Sequence, residues 1–155
     1  MIRSTAGIAF TLLLLLSPFP AGAGESTSPT ASGDASASQR ASSLADVLEL
    51  GPAGRFRLEM TWTSPTAGNG QAHPAPLETS TGGFWFFAAQ NLEILVKVID
   101  GCGVNGRWWV FATGLTDVGT TLTVTDPTTG VSRRWTTTAG APFPPLQATD
   151  AFPCN

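Results

Sequence analysis

The chain has one histidine, two cysteines and only eight basic residues in 155. Each shortage removes a class of function. His73 lies in the Pro-rich stretch QAHPAP and has no partner close in sequence for metal binding or acid–base work. It reads as an exposed loop histidine. A Ser, Cys or Thr hydrolase needs a nucleophile beside a base, and no G-x-S-x-G or comparable motif is present. The formal net charge is −3 and the basic residues are scattered, apart from Arg133 and Arg134. That excludes the basic patch of a nucleic-acid-binding protein. Nothing in the composition calls for a cofactor or a metal. The chain is expected not to be an enzyme.

Long apolar runs are also scarce. The one run, over residues 6–16, follows a lone Arg3, is broken by Pro18 and Pro20, and precedes Ala21-Gly22-Ala23. This is the pattern of a secretory signal peptide over residues 1–23, with cleavage after Ala23. The run is shorter than the roughly 20 apolar residues of a membrane span. The rival reading is an uncleaved N-terminal anchor. Removing Arg3 with the signal leaves seven basic against eleven acidic residues, a net charge of −4. The expected location is the periplasm or the medium, with no membrane span after cleavage. Residues 24–43, GESTSPTASGDASASQRASS, carry almost nothing apolar and read as a disordered linker. Residues 44–53 form either a helical turn or two, or an edge segment, stopping at Gly51-Pro52.

What is abundant comes later. Residues 54–155 hold all five tryptophans and seven of the nine phenylalanines. RFRLEMTWT alternates, with Phe56, Leu58, Met60 and Trp62 on one face. LEILVKVID places Leu92, Ile94, Val96 and Val98 on one side and Glu93, Leu95, Lys97 and Ile99 on the other. RWWVFAT (107–113) has bulky residues on both faces, VGTTLTVTD (118–126) alternates, and VSRRWTTT (131–138) pairs back after the DPTTG turn. A strand is also expected over 83–88, a long loop over 64–76 and a turn over 100–106. Six to eight short strands separated by turns describe an all-β domain, best fitted by a small two-sheet sandwich of immunoglobulin-like type. A small barrel is the alternative.

The sequence GGFWFFAAQ raises the question of what covers a second aromatic face. Trp85, Trp108, Trp109 and Trp135 are the candidate platform for a sugar or a protein, with core packing the competing use of the same rings. Cys102 and Cys154 are a lone pair in an exported chain and are expected to form a disulfide, two separate thiols being the alternative. That bond would draw the Pro-rich tail, with Phe143, Leu146 and Phe152, across the second aromatic face. Glu59, Glu78, Glu93, Asp100 and Asp117 could supply paired carboxylates for a hydrolase. Asp100, Asp117 and Asp126 could ligate calcium only if their loops converged.

The motifs GFWFF, N-x-E-x-x-V-K-V-x-D-G-C, WVF and GLTDV occur in order, within residues 54–155. The segment resembles a recurring uncharacterised domain of secreted bacterial proteins. The resemblance implies an exported, non-catalytic module that is often attached to other domains. The chain departs from that pattern before the first strand, where it reads LELGPAG rather than carrying a cysteine. The function expected is a binding or accessory module for an unknown protein or glycan. The alternatives are a carboxylate-dependent secreted hydrolase and a purely structural module.

Overall fold

A computed structural model describes residues 46–154. The signal-peptide and linker readings fall outside the described residues. Ten strands form two five-stranded antiparallel sheets.

The first sheet contains β1 (Leu48–Leu50), β2 (Phe56–Ser64), β3 (Gly68–Gln71), β8 (Gly119–Asp126) and β9 (Val131–Thr136). Its order is β1-β2-β8-β9, with β3 also paired to β2. The second sheet has the order β10-β7-β6-β5-β4. Its members are β4 (His73–Glu78), β5 (Thr81–Trp85), β6 (Ile94–Gly101), β7 (Arg107–Gly114) and β10 (Leu146–Pro153). A short helix, α1 (Cys102–Asn105), stands where 100–106 reads as a turn.

Period-2 alternation accounts for the core. Phe56, Leu58, Met60 and Trp62 of β2 are buried against Ile94, Val96 and Val98 of β6 and Trp108 and Val110 of β7. The Phe56 ring lies 5.0 Å from Trp108 and 5.2 Å from Phe152, so aromatic packing ties the two sheets together.

The strand count exceeds the expected six to eight for a physical reason. β3, β4 and β10 carry the Gly and Pro that argue against a strand, and all three pair on one side only. An edge strand leaves alternate N–H groups pointing away from the sheet, so Pro74 and Pro76 break no ladder bond. Residues 64–76 are therefore mostly strand rather than a long loop, and His73 opens β4 instead of sitting in a loop. Two further expectations shift. The strand expected over 83–88 runs from Thr81 to Trp85, so Phe86 and Phe87 lie beyond it. Leu92 precedes β6 and is 39% exposed rather than part of the inner row.

The disulfide Cys102–Cys154 is present, with Cα atoms 5.8 Å apart. The tail it anchors does not cross the outer aromatic face. It pairs edge-on with β7 as β10 and directs Phe152 into the core. Ladder pairing satisfies the tail's backbone groups, which lying across side chains would not. Phe143 is also buried, and Leu146 partly so.

One charged pair closes an end of the sandwich. Arg55 Nε and Nη2 donate to Asp126 Oδ1 and Oδ2 at 3.2 and 2.6 Å. The Asp126 side chain is fully buried and Arg55 is 17% exposed. The guanidinium lies 5.1 Å from the Phe56 ring centre and 5.3 Å from Trp108. Asp126 Oδ1 also accepts the Thr128 N–H at 3.0 Å, which shapes the turn into β9.

Candidate binding face

The two sheets turn different chemistry outward. On the first sheet, alternation and register line up Thr61, Thr121 and Thr136 in one row, Glu59, Thr123 and Arg134 in the next, and Arg57, Thr125 and Ser132 in a third. Hydroxyl pairs link Thr121 to Thr136 and Thr125 to Ser132. This is an ordinary solvated face.

The second sheet is the opposite. Trp109 pairs with Ile99, Phe111 with Lys97, and Leu95 with Thr113 and Gly83, all directed away from the core. Ile99 is 36% exposed. A Cβ on Gly83 would overlap the Leu92 side chain, so Leu92 folds onto this face as well. Trp85 continues it toward the β4 edge, where His73 stacks on the indole at 4.1 Å and faces Asp46 at 3.5 Å. Lys97 lies between Leu95 and Ile99 and beside Phe111, and Arg107 shares the outward parity of Trp109 at the start of β7.

Trp109 is held flat and rigid. A Cβ on Gly101 would overlap its ring, so the indole lies across bare backbone. Its Nε1 donates to Asn105 Oδ1 at 2.9 Å, and Asn105 Nδ2 donates to the Thr149 carbonyl at 2.8 Å. Phe111 meets it edge-on at 6.3 Å. A fixed ring with one partly open face is suited to stacking against a ligand, because little side-chain entropy remains to be lost on binding.

The four tryptophans read from the sequence therefore separate. Trp85 and Trp109 share the outer face but stand at different levels of it, on β5 and β7. Trp108 points inward, is buried, and its Nε1 has no hydrogen-bond partner among the described residues. Trp135 lies at the β9 edge, packed on the core, where it lines a seam of about 150 Å³ with Phe143 and Leu146. They do not form a single platform. The residues missing from that set are Leu92, Leu95, Ile99 and Phe111. Their signal was present: β6 and β7 carry apolar residues at outward positions, where a wet face would carry polar ones.

The carboxylates are also dispersed. Glu59 lies on the outer face of the first sheet, Glu78 on the β4 edge, and Asp100 accepts the Cys102 N–H at 2.8 Å. Of these five only Glu93 and Asp117 line a common groove, an open one between loops. The calcium candidates do not converge: Asp126 is held by Arg55, and Asp117 precedes β8 while Asp126 ends it. Asp100, Cys102 and Cys154 cluster, but both sulfurs are committed to the disulfide. Among the described residues no helix is long and apolar enough to cross a membrane.

Burial alone would raise the Asp126 pKa. The Arg55 hydrogen bonds, the Thr128 N–H and the Arg55 charge outweigh it and hold the carboxyl below its ordinary value. This pair braces the end of the sandwich and lies away from the outer face. Searches of protein-family models, curated proteins and solved structures found no match to the chain.

Proposed function

We propose that the chain is an exported, non-catalytic binding or accessory module, built as an immunoglobulin-like sandwich, whose contact surface is the outer face of the second sheet. The observation that carries this reading is the asymmetry of the two outer faces. The first sheet presents threonines and charges, while the second presents Trp109, Phe111, Leu95 and Ile99 around Lys97, with Arg107 at its margin. A soluble sandwich has no need of an apolar outer face, and such patches mark sites of association. Two antiparallel sheets of about this size support the immunoglobulin-like comparison. The partner is a protein or a glycan. The ordered sequence motifs and the N-terminal pattern support export and the kinship with secreted bacterial domains.

The test is a glycan-array and surface-binding screen of the wild-type domain and its Trp109→Ala and Ile99→Lys variants. A ligand whose binding is lost in both variants, at unchanged thermal stability, supports the reading. Binding that survives both variants removes the outer face from it. The hydrolase alternative rests on Glu93 and Asp117 sharing one groove. Turnover of aryl glycosides that disappears in Glu93→Gln would favour it.

A further inference from the structure

At the end of the sandwich opposite the disulfide, the loops between β5 and β6, β7 and β8, and β9 and β10 surround an open groove of about 520 Å³. We propose that this groove receives a basic side chain, arginine or lysine, from a partner polypeptide. The inference concerns a different surface from the sheet face and stands independently of it.

The walls are apolar and unusually exposed. Phe87, Leu115, Val118 and Pro142 line the groove, with Phe87 52% and Leu115 92% exposed. The walls are nonetheless fixed. Glu93 O accepts the Leu115 N–H at 2.9 Å, Thr116 O accepts the Phe143 N–H at 3.0 Å, and Asp117 O accepts the Gly140 N–H at 2.7 Å. The Phe87 ring is held edge-on against Trp62 at 4.9 Å. A Cβ on Gly114 would overlap Ile94, so the chain enters the groove floor at closest approach.

The charge is uncompensated. Glu93 is only 8% exposed, and its side chain accepts a hydrogen bond from the Asn91 amide. Asp117 supplies a second carboxylate, and among the described residues no lysine or arginine lines the groove. Among the described residues neither acid forms an ion pair. A carboxylate held among apolar walls is costly without a cation. Calcium would require six to eight oxygen ligands, which aliphatic and aromatic walls do not provide. A guanidinium or ammonium on an aliphatic stem matches both features. The head pairs with the carboxylates, and the stem lies along Leu115 and Phe87, whose ring also attracts a cation. Arginine is the better fit because its planar head can stack and fork at once.

The test is an amide-shift NMR titration of the intact domain with acetyl-arginine methylamide and acetyl-lysine methylamide at low ionic strength. Acetyl-citrulline methylamide, of the same shape but uncharged, is the control. We expect saturable shifts at Leu115, Thr116, Asp117 and Val118 with the cationic probes. These should be weakened about tenfold in Glu93→Gln, and less in Asp117→Asn, as loss of a charge-assisted hydrogen bond implies. Trp109→Ala should leave them unchanged, which separates this site from the sheet face. Equal shifts from citrulline, no shifts at these amides, or an unaltered affinity in a folded Glu93→Gln would each overturn the proposal. Should Glu93→Gln fail to fold, the citrulline comparison and the exposed Asp117→Asn decide the matter.

Discussion

Breaking the Arg55–Asp126 pair should destabilise the domain more than any exposed substitution, and the two halves of the pair should not cost the same. Asp126→Asn keeps an oxygen for the Thr128 N–H but leaves the Arg55 guanidinium facing an amide. Arg55 is partly exposed and can turn toward water, so the expected loss is about 2–4 kcal/mol, at the lower end for a broken buried pair. Arg55→Met strands a fully buried carboxylate with the Thr128 N–H as its hydrogen-bonding support, and should cost about 3–5 kcal/mol. The double variant should cost less than the two single losses together by about 1.5–3 kcal/mol, since one removal abolishes the reason for the other. The pH dependence has a definite sign. The folded-state pKa of Asp126 is depressed, so its contribution is complete above the unfolded value near 3.9 and is lost as pH falls through the lower folded value. Urea denaturation followed by tryptophan fluorescence at pH 7 and at successively lower pH reads both effects. The acid-induced loss should be smaller in Asp126→Asn. Strictly additive single losses, or an Asp126→Asn variant as stable as the wild type at pH 7, would refute the reasoning.

The intact mass should lie about 2 Da below that of the reduced protein, and Cys102→Ser should cost on the order of 4 kcal/mol, the chain-entropy value for residues 52 apart. Free thiols in the native protein would contradict the fold described. Met60→Ala should destabilise by about 2–5 kcal/mol and Glu59→Ala by about 0.5 or less in chemical denaturation; similar losses would mean that the faces of β2 are misassigned. Deleting residues 146–155 should abolish the cooperative transition, because β10 contributes a full edge strand and buried Phe152. A truncated domain that still unfolds cooperatively would show that β10 is an accessory strap. Ile99→Lys should leave the melting temperature nearly unchanged while reducing hydrophobic-dye fluorescence, whereas a large drop in stability would show that Ile99 is structural.

The amino-acid order by itself settled what depends on local periodicity. Alternating side chains at Phe56–Trp62 and Ile94–Val98 determine which face is buried, because a pleated chain has no other way to sort them. The DPTTG turn was equally plain, since Asp126, Pro127 and Gly130 suit the turn backbone, and Gly130 has φ 70°. The edges were hidden, because β4 and β10 are strands only by virtue of a neighbour that supplies hydrogen bonds on one side. Their prolines argue against them in isolation. The second aromatic face was visible in RWWVFAT and LEILVKVID, but its coverage was not. Whether the tail lies over that face or joins the sheet edge turns on the competition between backbone pairing and side-chain burial over a long chain separation. The sharing of one groove by Glu93 and Asp117, and the pairing of Arg55 with Asp126, likewise belong to the tertiary structure alone. Residues 71 apart, as Arg55 and Asp126 are, share no local pattern, and only the antiparallel pairing of β2 with β8 within the first sheet brings their charges to 2.6 Å.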